Sequence, residues 1–201
     1  MHPLLYRNHA WAADREADDP GFFERISSIH APHTLYIGCS DARVPANLVT
    51  DTGIGEMFVH RNIANQARSG DPALSASLQY AVEVLGVRDI VVCGHEGCGG
   101  VRASVTGGAP PAVEAWLEPL RLLARVHRGE LQGLPEDEQV DRLVALNVLE
   151  QIDALCRHPV VQQAWSAGSP LVVHGWVYAL RNGRLKEVVR IDGPALAGAA
   201  K

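Results

Sequence analysis

Asp89-Ile90-Val91-Val92-Cys93 runs without interruption into Gly94-His95-Glu96-Gly97-Cys98-Gly99-Gly100. The first stretch is a short, continuous apolar run rich in β-branched residues. Such a run predicts a strand buried on both faces of a parallel sheet. The second stretch is a glycine-rich loop that carries an imidazole and a thiol, with two residues between them. In open α/β sheets the functional groups collect outside the carboxyl ends of the strands, so the loop falls where a site is expected.

Upstream, Thr34-Leu35-Tyr36-Ile37-Gly38 reads as a second strand, and it ends in Cys39-Ser40-Asp41-Ala42-Arg43. Glu56-Met57-Phe58-Val59-His60 reads as a third. Asp71-Pro72 predicts a helix start, with Asp as N-cap and Pro at the first helical position. Leu74, Leu78, Ala81, Val82 and Leu85 then follow at helical spacing, and Gly86 supplies a stop.

Downstream, Pro111 to Gly129 reads as one helix with a kink or a late start at Pro119. Val140, Val144, Val148, Ile152 and Leu155 form an apolar stripe on a helix from about Glu136 to Arg157. Leu171 to Leu180 and Arg184 to Ile191 flank Asn182-Gly183, which predicts a two-residue hairpin turn. At the other end, Pro3 to Ser28 is helical with a break at Asp19-Pro20-Gly21. The pattern is an α/β fold: a mainly parallel β-sheet flanked by helices, an antiparallel edge hairpin near the C-terminus, and an N-terminal helical arm over residues 1–30. With no repeat or long linker, residues 1–201 are expected to form a single domain.

Composition narrows the function. Of 201 residues, 47% are hydrophobic and 20% charged, which excludes a disordered or fibrous chain. The net charge of −5 and scattered Lys and Arg give no footprint for nucleic acid. No apolar run reaches the roughly 20 residues of a membrane span. The start lacks an apolar stretch behind a basic one and carries Asp14, Glu16, Asp18 and Asp19, so a cytoplasmic protein is expected. In that setting Cys39, Cys93, Cys98 and Cys156 read as metal ligands or buried thiols rather than a disulfide framework.

The chemistry lies at the two strand ends. His95 and Cys98 can serve one metal from one tight loop, and Cys39 can add a third soft ligand from a neighbouring strand. Thiolate and imidazole donors suit zinc, and three protein ligands leave a fourth position open. Cys93, two residues before His95, is a weaker ligand candidate. Cys156 and the histidines His30, His33, His60 and His174 have no metal spacing.

Cys39-Ser40-Asp41-Ala42-Arg43-Val44-Pro45 resembles the Cys-Ser-Asp-Ser-Arg signature of β-class carbonic anhydrases, with Ala42 in place of the usual Ser. The segment Gly94 to Gly100 is similar to that family's second zinc motif. Arg61-Asn62-Ile63-Ala64-Asn65, Asn147-Val148-Leu149-Glu150-Gln151 and His174-Gly175-Trp176-Val177-Tyr178 extend the likeness over nearly the whole chain. The resemblance implies Cys39, His95 and Cys98 as ligands of one Zn2+ per subunit, and Asp41 with Arg43 as the catalytic dyad. It implies reversible hydration of carbon dioxide to bicarbonate and a proton, by a zinc-activated hydroxide that Asp41 orients. Arg43 would clamp Asp41 and keep it from becoming a fourth ligand in a closed form. Two thiolates cancel the formal charge of the metal, so activity is expected to rise into the mildly alkaline range.

A bacterial subgroup of the family carries a second, non-catalytic bicarbonate site built from Trp, Arg and Tyr. Arg61 and Tyr178 match two of its positions, and Tyr36 stands where the Trp would be. The alternative for these residues is Arg61 paired with a carboxylate and both tyrosines packed. In this family the N-terminal helices, here with Trp11 and Phe22-Phe23, pack on a partner subunit, which implies a homodimer or a dimer of dimers. Two rival functions share the motif: hydrolysis of carbonyl sulfide or carbon disulfide, and a non-catalytic bicarbonate-responsive zinc protein. The second has no need of Asp41 and Arg43.

Overall fold

The structure, a computed structural model, describes residues 2–68 and 70–193. It divides into two compact units, up to residue 31 and from residue 32 onward. The first holds α1 (Pro3–Asp18) and α2 (Phe22–Ser28). His2 caps α1 by accepting from the Leu4 N–H, and Pro3 occupies the first turn, where a missing N–H costs nothing. Gly21, at φ +79°, makes the predicted break. Trp11 and Phe22 both meet Phe23 edge-on, at 5.7 and 5.1 Å.

The second unit contains β1 (Thr34–Cys39), α3 (Ala46–Val49), β2 (Met57–Asn62), α4 (Pro72–Gln79), β3 (Asp89–His95) and α5 (Gly99–Thr106). These are followed by α6 (Pro111–Trp116), α7 (Glu118–Val126), α8 (Arg128–Leu131), α9 (Glu136–Cys156), α10 (Pro159–Ser166), β4 (Val172–Ala179) and β5 (Arg184–Ile191). The five strands form one sheet in the order β2-β1-β3-β4-β5. The first four are mutually parallel, and β5 runs antiparallel at the edge. The expected fold class is therefore the observed one. From β1 the chain moves outward to β2, then returns past β1 to β3. The gap between the ends of β1 and β3 is thus a topological switch point.

Both central strands are buried along nearly their whole length, as their apolar runs require. Leu35, Ile37, Ile90, Val92 and Val173 pack with Leu74 and Leu78 of α4, Val148, Ile152 and Leu155 of α9, and Val161 and Trp165 of α10. The α4 helix begins as predicted, with the Asp71 carboxylate accepting from the N–H groups of Ala73 and Leu74. It closes through a π-type turn over Tyr80–Val84, and Gly86 at φ +66° ends it.

Three local expectations change. The segment read as one helix from Pro111 is three short ones. Pro119 sits in the first turn of α7, where its ring starts a helix but cannot continue one. His127, at φ −93° and ψ 20°, then ends α7. The Asn182-Gly183 pair closes a four-residue loop instead of forming a two-residue turn. The N–H groups of Asn182 and Gly183 both donate to the Ala179 carbonyl, because β4 stops at Ala179. Helices α3, α5 and α10 are additional to the sequence reading.

Candidate metal centre

Cys39 is the last residue of β1 and His95 the last of β3, while Cys98 sits at the N-terminal boundary of α5. All three are buried, at 6%, 1% and 1% exposure. Their ligand atoms lie within 4.8 Å of one another, and the two sulfurs are 3.9 Å apart. Among the described residues no other trio of His, Cys, Asp or Glu side chains converges in this way.

The β3–α5 loop turns on Gly97, at φ +60°, a left-handed backbone that glycine adopts without cost. Gly94 is needed for proximity: a Cβ there would lie 2.9 Å from methyls of Val144 and Val148 on α9. The Gly97 N–H donates to Asp141 Oδ1 at 2.8 Å, and the Glu96 N–H to the Tyr178 carbonyl at 3.0 Å.

The donor set fits a cation such as zinc. His95 Nδ1 lies 3.0 Å from the Glu96 carbonyl, which places the proton there and turns the Nε2 lone pair inward. Nε2 is buried and has no hydrogen-bond partner, as expected of an atom kept for a metal. With the sulfurs 3.9 Å apart, a thiolate on Cys39 is stabilised by the Cys98 S–H, and its pKa is lowered. Loss of the second proton, from Cys98, is correspondingly resisted. Burial opposes charge on the imidazole, but the nearby Cys39 sulfur and Glu96 carbonyl outweigh it, so the His95 pKa is raised. An electronegative, enclosed set of this kind favours a bound cation.

Asp41 stands beside the trio, its Oδ2 3.8 Å from His95 Nε2. Oδ1 accepts from the Arg43 backbone N–H and from Nε, both at 2.9 Å, and Oδ2 accepts from Nη2 at 2.7 Å. This clamp holds the carboxyl ionised, well below the usual carboxylate range. A cleft of about 340 Å³ opens onto Cys39, Ser40 and Asp41, with Ile63, Ala103 and Val113 as its apolar wall.

Arg61 lies on β2 and donates Nε to the Cys39 carbonyl at 2.8 Å and Nη2 to the Asp41 carbonyl at 2.6 Å. Its recorded partners are thus backbone carbonyls and not the carboxylate considered from sequence. Tyr36 is buried in a cluster with Ala46, Val91 and Cys93, against which Tyr178 packs. Cys93 belongs to this cluster and not to the ligand trio, and burial pushes its thiol up to about 11. Cys156 is buried in the main core. His174 bridges Asp89 and Glu187, and His60 contacts Ser77.

Sequence reasoning missed the turn after β2. Ala64 (φ +60°) and Asn65 (φ +46°) are consecutive non-glycine residues in the left-handed region, a strain of about 1–2 kcal/mol at Ala64, whereas asparagine tolerates it. The backbone of Ala64 adds, after Cys98 and His95, to what favours charge on the Cys39 sulfur. At Cys98 the backbone at the start of α5 favours the thiolate, but the Cys39 sulfur and burial outweigh it. Positive φ at alanine leaves no trace in sequence.

Residues 34–185 match the family model described as "Carbonic anhydrase". A carbonic anhydrase from Emericella nidulans is 43% identical over 96% of this chain and 85% of its own length. One from Pseudomonas aeruginosa is 40% identical over 81% and 76%. Among solved structures, the Coccomyxa β-carbonic anhydrase in complex with acetazolamide superposes with a TM-score of 0.93 at 36% identity, covering 98% of this chain and 90% of that one. A Sordaria macrospora structure described as a tetrameric β-carbonic anhydrase gives 0.91 at 36% identity, covering 94% and 98%. With the convergent Cys-His-Cys trio at its sheet's switch point, this chain belongs to the β-class carbonic anhydrases and is a carbonate dehydratase.

Proposed function

We propose that the chain hydrates carbon dioxide reversibly on one zinc ion per subunit, held by Cys39, His95 and Cys98, with Asp41 and Arg43 as its catalytic dyad. The observation that carries this reading is the buried, otherwise unpartnered His95 Nε2, which converges with two thiols beside a clamped carboxylate. When bound, zinc would supply a Lewis acid that makes water nucleophilic, toward mildly alkaline pH here because two thiolates offset the metal's charge. Asp41, held ionised, only accepts hydrogen bonds, so it orients the O–H of the attacking water and aims the oxygen's lone pair away from itself. Arg43 fixes the position of that carboxylate through both its oxygens. Ile63, Ala103 and Val113 give the substrate an apolar wall, which suits an uncharged, weakly hydrated gas. A module that only held zinc would have no use for the clamp.

The test is zinc content with a carbon dioxide hydration assay on wild type and Cys98→Ser. We expect about one zinc per wild-type chain. In the variant, hydration should fall by more than about 100-fold, since even outer-shell changes at metal sites cost 10–100-fold. Wild type purified under reducing conditions without stoichiometric zinc would overturn the reading. The same preparation should scatter light as a dimer or dimer of dimers, consistent with exposed Leu4, Leu5 and Tyr6 on α1; a monomer would sink that assembly.

We also propose a non-catalytic bicarbonate site at Arg61, walled by Tyr36 and Tyr178. An anion there would compete with the Cys39 and Asp41 carbonyls for the guanidinium, and so would loosen the strand end that carries the dyad. Inhibition at high bicarbonate, relieved in Arg61→Ala, is the expected result. No such inhibition in wild type would remove the proposal.

A further inference from the structure

The strained turn that faces Cys39 is held from a distance. The Ala64 carbonyl accepts from Gln66 Nε2 at 2.9 Å and from Asn147 Nδ2 at 3.0 Å. Asn147 Oδ1 accepts from Gln66 Nε2 at 2.8 Å and from Gln151 Nε2 at 3.0 Å. Gln151 Oε1 in turn accepts from the Ala67 N–H at 2.8 Å, and the Asn62 amide exchanges two bonds of 2.7 Å with the Gln66 backbone. Gln66 and Asn147 are each 1% exposed and Gln151 6%, so the network is buried. Both amide atoms of Asn147 are spent on the network.

The turn is wedged between the two ligand loops. Cys39 pairs with Asn62, two residues before Ala64, and a Cβ on Gly100 would lie 3.3 Å from the Ala64 Cβ. Alanine has no reason of its own to hold φ +60°, so the surroundings must impose it. We propose that Asn147 and Gln66, braced by Gln151, are positioning residues for the metal centre. They fix the left-handed Ala64–Asn65 turn and with it the placement of Cys39 against the Cys98 loop. The inference rests on Cys39 being a zinc ligand, and it assigns a role to side chains that touch neither metal nor substrate.

The experiment measures zinc affinity by chelator competition, together with kcat, KM and thermal midpoint, for wild type, Asn147→Ala, Gln66→Glu and Ile152→Ala. Asn147→Ala should weaken zinc binding about tenfold and lower kcat, with KM within about twofold of wild type. Gln66→Glu keeps the shape but loses both Nε2 donations, and it should behave alike; it carries the test if Asn147→Ala does not fold. Ile152→Ala, a core truncation on the same helix, should lower the thermal midpoint and leave zinc affinity unchanged. Adding Ala64→Gly to Asn147→Ala should restore most of the affinity, because glycine accepts the turn unaided. Wild-type affinity in both amide variants, or an equal loss in Ile152→Ala, would overturn the proposal. A wild-type protein that binds no zinc would instead overturn the metal site itself.

Discussion

The two strand ends that build the site are shaped by different means. After β3, the loop that brings His95 and Cys98 is written in glycine: a left-handed Gly97 and a Gly94 pressed against α9. After β1, the loop that brings Cys39 and Asp41 is held by arginines, with Arg43 on the carboxylate and Arg61 on two carbonyls. A backbone-encoded loop keeps its shape when one side-chain tie is cut. A loop tied by side chains does not. Metal retention, supplied mostly by the first, should therefore be separable from turnover, supplied by the second.

The largest separation is expected from Arg43→Ala. It frees the Asp41 carboxylate, which can then turn toward the metal, and hydration should fall about 100-fold with zinc content unchanged. Loss of zinc together with activity would erase the distinction between the loops. Gly94→Ala attacks the other loop through its backbone. The added methyl meets Val144 and Val148, and overpacking of this kind costs about 2 kcal/mol, or roughly 4–8 °C in thermal midpoint. An unchanged midpoint would mean that α9 yields there. The smallest effect belongs to Asp141→Ala, which removes the one side-chain tie on the Gly97 N–H. We expect about a threefold loss of kcat, the worth of a modest hydrogen bond. A loss as large as that of Arg43→Ala would show that the glycines do not carry the loop.

What the sequence disclosed follows the same division. β1 and β3 were readable because buried parallel strands are apolar on both faces, and the α4 start because Asp71-Pro72 is a chemical signal for one. Cys39, His95 and Cys98 were readable because residue type and strand-end placement together restrict the chemistry. The three-way division of the Pro111–Gly129 segment was not, since a proline in the first turn and a proline at a kink look alike in one dimension. Asn182-Gly183 suggested a tighter turn than β4 allows, because the end of that strand is fixed by its partners. Arg61 on two carbonyls, and the left-handed Ala64, depend on long-range contacts. No local pattern announces them.

The 21-residue helix α9 gives these contacts an engineering consequence. Val148 and Ile152 pack into the main core, while Asn147 and Gln151, one residue earlier in each case, hold the turn beside Cys39. Successive residues on a helix are about 100° apart, so both faces answer to a single rotation of one rigid rod. Enlarging the valine and isoleucine side chains for heat resistance would turn the amides with them, whereas truncation at Ile152 leaves a cavity and the rod in place. In this enzyme the route to a tighter core and the route to a misplaced ligand run through the same degree of freedom.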